Sequence, residues 1–90
     1  MNNLSQNDII LWAMLNNPQK EWWSAKDFQY GEYFVGYEAT ARMSELVQKY
    51  PLLVKRGMDG RFRVISIFWE STKEVQEQKE RIQALINSQE

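Results

Sequence analysis

The sequence predicts one α+β domain, in which short helices are followed by a β-hairpin and then by a last helix. Three observations predict this class. Between residues 37 and 50 apolar side chains recur at the spacing of one helical face, and Pro51 cannot continue a helix. Asp59-Gly60 separates two strand-like runs and is a strong hairpin signal, because both residues tolerate positive φ. The length of 90 residues is that of a single domain.

The first helix is predicted near the start of the chain. Ser5 or Asn7 can cap its first turn, since both side chains accept hydrogen bonds from backbone N–H groups. The Asn-Asn-Pro sequence at residues 16–18 ends it. Between Ile9 and Leu15 the residues are apolar on most sides, so we expect this helix to be largely buried.

A second, short helix is predicted from about residue 25 to residue 30. Ser24 and Asp27 have the spacing of a capping box at its start, and Gly31 breaks it. The Trp22-Trp23 pair stands directly before this helix. Such a pair can stack on a nucleic-acid base, but in a small domain we expect it to seal the core.

A third helix is predicted from Tyr37 to Lys49, with Gly36 at its opening. Its inward face holds Met43 and Leu46, and Tyr50 follows at the same spacing. The outward face is then a binding surface or a salt-bridged solvent surface, because two glutamates stand four residues before a cation. The residues of this face are Tyr37, Glu38, Ala41, Arg42, Ser44, Glu45, Gln48 and Lys49.

The hairpin is predicted over residues 52–56 and 61–67, in one of two registers. A two-residue loop at Asp59-Gly60 would pair Arg56 with Arg63, whereas a four-residue loop over residues 57–60 would pair Arg56 with Arg61. Either register places cations opposite each other, which destabilises a strand pair. A polyanion would relieve that repulsion, so the hairpin is expected to contact nucleic acid.

A last helix is predicted from Thr72 to Asn87, after a domain that spans residues 1–70. Ser71 and Glu74 form its capping box. Its apolar seam is sparse, so residues 71–90 should pack on their own domain or form a homodimer through the same helix of a second chain. The seam consists of Val75, Ile82, Leu85 and Ile86.

Charge is distributed unevenly along the chain. The formal net charge is −1, but residues 40–63 carry +4, whereas residues 1–39 carry −3 and residues 64–90 carry −2. The basic charge therefore concentrates on the third helix and the hairpin, which favours an anionic partner for that region.

Several classes of function are not expected. The chain has no Cys and no His, and it has no nucleotide-binding loop or metal-ligand spacing. We therefore expect no catalytic residues, no metal and no cofactor. The start lacks a signal-peptide pattern, and no apolar run approaches the ~20 residues of a membrane span, so a cytoplasmic protein is expected.

Three segments, residues 24–28, 37–46 and 52–67, carry a resemblance to a known family. Residues 7–69 resemble a winged helix-turn-helix domain of small prokaryotic and phage transcription regulators. The resemblance implies that helix 37–49 reads the major groove of double-stranded DNA, and that wing 55–63 contacts the backbone or the minor groove. The expected DNA-binding residues are Tyr37, Arg42, Ser44, Gln48, Lys49, Lys55, Arg56, Arg61 and Arg63.

Two functions remain open from the sequence. One is a sequence-specific DNA-binding regulator. The other is a winged-helix module, such as an adaptor or antirepressor, that binds a protein partner and not DNA. The acidic pI of 5.5 and the carboxylate of Glu45 on the outward helical face favour the second function.

Overall fold

The structure, a computed structural model, describes residues 4–29, 35–36 and 38–88. This part of the chain forms an α+β domain, the class that the sequence predicts. It has three α-helices and a three-stranded antiparallel sheet, whereas the sequence predicts four helices and a two-stranded hairpin. A four-residue 3-10 helix stands between the first strand and the second α-helix. In chain order the elements are α1 (Gln6–Leu15), β1 (Trp23–Ser24), the 3-10 helix (Ala25–Phe28), α2 (Ala39–Lys49), β2 (Val54–Asp59), β3 (Phe62–Ile67) and α3 (Thr72–Asn87).

The central strand of the sheet is β3, with β1 on one side and β2 on the other. The sequence did not predict β1, which pairs Trp23 with Ile65 and Ser24 with Val64. Two residues are too few to show the alternating pattern of a strand. The strand exists because the segment after α1 lies along β3, so it depends on tertiary placement.

The hairpin register differs from both predicted registers, which are wrong. Asp59 pairs with Phe62 and Arg56 pairs with Ile65, so the loop is Gly60-Arg61. Gly60 has a φ of 63°, and no described non-glycine residue has a positive φ. This is the pattern of a type II′ turn, which needs positive φ only at its first central residue. Glycine adopts a positive φ without strain. The predicted Asp59-Gly60 loop would have needed a positive φ at Asp59 as well. The expected Arg–Arg cross-strand pairs are therefore absent.

The core lies between the helices and one face of the sheet. As predicted, α1 is largely buried: Ile10, Leu11, Ala13, Met14 and Leu15 have at most 2% of their surface exposed. The predicted helical phase of α2 is also confirmed. Its buried residues are Ala39, Met43 and Leu46, and Val47 and Tyr50 pack against the core.

The segment before α2 differs in detail from the prediction. Gly36 has a φ of 94°, a left-handed conformation that does not belong to a right-handed helix, so α2 begins at Ala39. Glu38 occupies the N-cap position, not the first turn. Tyr30, residues 31–34 and Tyr37 lie outside the described residues.

The second predicted helix is a 3-10 helix. The predicted capping box is present, because Ser24 and Asp27 exchange side-chain and backbone hydrogen bonds. The two adjacent tryptophans have different roles. Trp23 is 4% exposed and stacks on Phe28 with ring centroids 5.3 Å apart, so it seals the core as expected. Trp22 is 38% exposed. Its ring lies over Gly57, on the face of the sheet that points away from the core.

The last helix packs on its own chain. Val75 and Ile82 are 6% and 1% exposed and belong to the same core as α1 and α2. An ion pair of 2.8 Å joins Arg81 to Asp8 of α1. Of the two predicted arrangements, packing on its own domain is therefore the one that the helix adopts. A homodimer through the same apolar residues would first have to detach the helix from that core. No helix in the described part of the chain has the length and apolarity that crossing a membrane requires.

Candidate nucleic-acid interface

A cleft runs between α2 and the hairpin. Thr40, Met43 and Arg63 line it along its length, because they contribute to two adjoining hollows, the larger of about 230 Å³. The polar residues that line the two hollows are mostly exposed. They are Ser24, Lys26, Thr40, Ser44, Arg56, Arg61 and Arg63. We refer to this surface as the α2–hairpin cleft.

Strand geometry explains why two arginines face α2. Arg56 pairs with Ile65, and Arg63 lies two residues before Ile65 on the same strand. Because side chains alternate between the faces of a strand, these three share one face of the sheet. Near the helices that face is apolar, with Ile65 and Ile67 about 2% exposed. Towards the tip the hairpin extends past the core, and the same face carries cations.

The cations of the cleft have no carboxylate partners. None of the described residues that line it is Asp or Glu. The side chains of Arg56, Arg61 and Arg63 form no ion pair or hydrogen bond with any residue in 4–29, 35–36 or 38–88. Like charges kept close together without compensation create a positive local field, which attracts anions. The cleft is thus chemically suited to phosphate groups.

Lys26 is a member of this cluster that the sequence analysis did not identify. It stands in the acidic first third of the chain, so its sequence neighbours give no indication of a basic surface. The 3-10 helix brings its Nζ to 4.8 Å from the centroid of the Phe62 ring at the hairpin tip. The neighbouring Asp27 is used elsewhere: its carboxylate accepts from the Ser24 backbone at 2.8 Å and pairs with Lys20 at 3.4 Å. Lys26 therefore adds positive charge to the cleft.

Arg42 is held differently. Its guanidinium contacts Glu45 at 3.1 Å, one turn further along α2, and not Glu38 as the four-residue spacing predicts. The second Glu45 oxygen accepts a 3.3 Å hydrogen bond from Asn7 of α1, which fixes the carboxylate on this side. Arg42 is half-buried, and its Nε has no hydrogen-bond partner among the described residues. Part of its charge is already neutralised.

The end of α2 leads away from the cleft. Gln48 is exposed on the outward face. Lys49 lines a separate hollow with Glu74 and Glu77 of α3, and its Nζ lies 5.4 Å from the Tyr50 ring. The expected Glu45–Lys49 pair is not formed, because the Glu45 oxygens contact Arg42 and Asn7. Lys49 therefore stands in a more acidic environment than the hairpin arginines.

Lys55 lies on the outer face of the sheet, away from α2. Its Nζ is 5.4 Å from the Trp22 ring and 5.3 Å from the Phe68 ring. The Trp22 indole covers this face at Gly57, where an added Cβ would lie 2.7 Å from a ring carbon. The Lys55 ammonium therefore interacts with the Trp22 and Phe68 rings on this face. The structure brings together Ser44, Arg56, Arg61 and Arg63 of the nine predicted residues, and Tyr37 lies outside the described residues.

Comparisons of the chain with protein-family models, with curated proteins and with solved structures give no match. Function therefore has to be argued from the chemistry of the cleft itself.

Proposed function

We propose that this chain is a winged helix-turn-helix protein that binds double-stranded DNA in a sequence-specific manner and regulates transcription. The observation that carries the proposal is the α2–hairpin cleft, in which four cations lie beside α2 and no lining residue that the structure describes carries a carboxylate. Those cations are Lys26, Arg56, Arg61 and Arg63. The order of elements supports the fold assignment, since a central β3 between β1 and β2 places the hairpin beside α2 as a wing.

In this proposal α2 enters the major groove. Its exposed side carries Thr40, Ser44 and Gln48, which are short or flexible polar side chains. Hydroxyl and amide groups can both donate to and accept from base edges. These residues therefore supply sequence selectivity.

The hairpin supplies most of the affinity. Arg56, Arg61 and Arg63 project from a narrow ribbon next to α2, where they would meet the phosphate backbone of a duplex whose major groove holds that helix. Their binding to phosphates would release condensed counterions, an interaction that does not depend on sequence. The net charge of −1 does not oppose this proposal, because three carboxylates lie on α3 and no described residue that lines the cleft is Asp or Glu.

The experiment that tests the proposal is a salt titration of duplex DNA binding. Replacing Arg56 and Arg63 together by Ala should weaken binding to all duplexes alike and flatten the slope of log K against log[salt] by about two units, roughly one per lost phosphate contact. Lys73→Ala is the matched control, because Lys73 is an exposed cation at the start of α3, away from the cleft. If the parent protein binds no duplex at low salt, DNA binding is not its function.

A second function is favoured by the Arg42–Glu45 pair. It places a carboxylate on the helix face that DNA would approach. A cationic cleft beside a mixed-charge helix also suits an acidic protein partner, as expected for an adaptor or antirepressor. In that case the same double substitution would abolish capture of the acidic protein, while the parent would show no salt-dependent affinity for DNA.

A further inference from the structure

The tip of the hairpin carries two exposed large apolar side chains. In the described part of the chain, Met58 and Phe62 have 63% and 57% of their surface exposed. Only Leu52 among the described large apolar residues is more exposed, and it lies in the connection between α2 and β2. Single exposed apolar residues are ordinary on protein surfaces, but two beside one tight turn form a local feature.

The strand register places these side chains on either side of the turn. Met58 pairs with Arg63 and Asp59 pairs with Phe62, so Met58 and Phe62 project from opposite faces of the ribbon. Between them in the chain are Asp59, Gly60 and Arg61, and nothing lies within 4 Å of a Cβ added at Gly60. The tip is thus slender, with one exposed apolar side chain on each face, the Asp59 carboxylate beside Phe62, and Arg61 in the turn.

Neither side chain contributes to folding through the core. Both lie outside the core cluster and outside the group of half-buried residues that pack against it. The Phe62 ring is positioned by the ammonium of Lys26, 4.8 Å from its centroid, and lines the cleft together with Arg61 and Arg63. Phe62 therefore belongs to the same surface as the cations proposed to bind phosphate. Met58 pairs with Arg63 and shares a face of the ribbon with that arginine.

We propose that Met58 and Phe62 form an apolar wedge that enters the minor groove, inserts at a base step and bends the duplex. This inference rests on the proposed DNA-binding function. Side chains of this kind can separate stacked bases and kink DNA by about 20–90°. Proteins can place strands in the minor groove, and the arginines that flank the tip would meet the phosphates on either side of that groove. In this proposal the cations of the cleft bind the phosphates, and the apolar side chains of the tip contact the stacked bases.

The wedge would also add selectivity at bases that no side chain contacts. Pyrimidine–purine steps unstack more easily than other steps, so the energy of bending depends on the sequence at the tip. A site with a TA step under the hairpin should bind more tightly than the same site with a stiff A-tract there. The inference therefore predicts a preference that hydrogen bonding by α2 does not explain.

The test measures bending directly. A duplex of about 30 base pairs, within the range over which protein-induced bends are usually described, carries a fluorescent donor and acceptor at its ends. The parent protein should shorten the end-to-end distance, and the Met58→Gln, Phe62→Ala double variant should bind with less than half of the bend. Gln keeps the length of Met but cannot be inserted among bases without desolvating its amide.

Two controls separate the wedge from other effects. Leu52→Ala removes an equally exposed apolar side chain far from the tip and should leave the bend unchanged. Arg61→Ala should weaken binding most at low salt but leave the bend of the bound duplex intact. Thermal melting of each variant should match that of the parent, since none of these side chains is buried.

The outcomes distinguish this inference from the proposed function. A parent protein that binds DNA but leaves it straight, or a double variant that bends it as much as the parent does, would overturn the wedge and leave DNA binding standing. A parent protein that binds no duplex at low salt would overturn both. Loss of the bend in the double variant alone, with binding retained, is the result that the structure leads us to expect.

Discussion

The arginines of the hairpin and those of the helices differ in their partners. Arg56, Arg61 and Arg63 form no ion pair with the described residues, whereas Arg42 and Arg81 contact carboxylates at 3.1 Å and 2.8 Å. A helix brings a residue one turn away onto the same face, and a neighbouring helix can supply another partner. Among the described residues, no carboxylate of a neighbouring element pairs with the arginines of the hairpin. The arginines of the helices are therefore neutralised by carboxylates, whereas those of the hairpin keep their positive charge available to a partner.

The same contrast appears among apolar residues. The helical body buries its large side chains almost completely, for example Leu46 and Ile82, while the hairpin tip exposes Met58 and Phe62. Folding free energy is gained in proportion to the apolar surface that is removed from water. The helical body thus carries the stability of the domain. The hairpin tip contributes little to it, which frees its side chains for a partner.

The largest expected effect is in the helical body. Ile82→Glu should abolish cooperative thermal unfolding, because an unpaired carboxylate in a core costs several kcal/mol, comparable to the whole stability of a small domain. Gln83→Glu places the same charge at an exposed neighbour and should melt like the parent. If Ile82→Glu instead converts a dimer into folded monomers by light scattering, the seam of α3 is an interface between chains.

A smaller loss is expected on the outer face of the sheet. Gly57→Ala brings a Cβ within 2.7 Å of the Trp22 ring and should displace the indole, at a cost of about 1–2 kcal/mol. Melting curves and tryptophan fluorescence measure the two effects. Adding Trp22→Ala removes the clash, so Gly57→Ala should cost less in that background. An equal cost in both backgrounds would show that the glycine is needed for its backbone and not for the indole.

Ion pairing gives the next effect. Arg81→Ala should lower the free energy of unfolding by about 0.5–1 kcal/mol, since Asp8 would lose its partner at a half-buried site between α1 and α3. Arg61→Ala should leave it unchanged, because Arg61 is exposed and has no described partner. Denaturant unfolding of both variants measures the difference. Equal losses would contradict the distinction between helical and hairpin cations.

The smallest expected effect sharpens the comparison at Arg42. Glu45→Gln removes a carboxylate from the proposed DNA face and releases the guanidinium, so duplex affinity should rise by about threefold, the size expected for one exposed charge. Stability should change little, because Gln can still accept from Asn7. Binding measured in parallel with Glu74→Gln, an acidic residue of α3, controls for the change in net charge. No difference between the two would mean that Glu45 does not face the duplex.

The sequence by itself determined the features that depend on neighbours along the chain. The buried phase of α2, the capping box of Ser24 and Asp27, and the bounds of α3 were predicted correctly. These follow from spacings of three and four residues, which helical geometry converts into contacts before any tertiary structure forms. The existence of the hairpin followed in the same way from its turn residues.

The tertiary structure decided what depends on distant partners. Strand β1 forms only because it pairs with β3. Arg42 pairs with Glu45, whose carboxylate is held in place by a hydrogen bond from Asn7 of α1. Lys26 reaches the cationic cleft only because the 3-10 helix stands beside the hairpin tip. Local patterns hold no information on which of several competing partners lies nearest. The partners are fixed when the core brings distant segments together, because one arrangement then has to bury the apolar side chains and pair the charged ones.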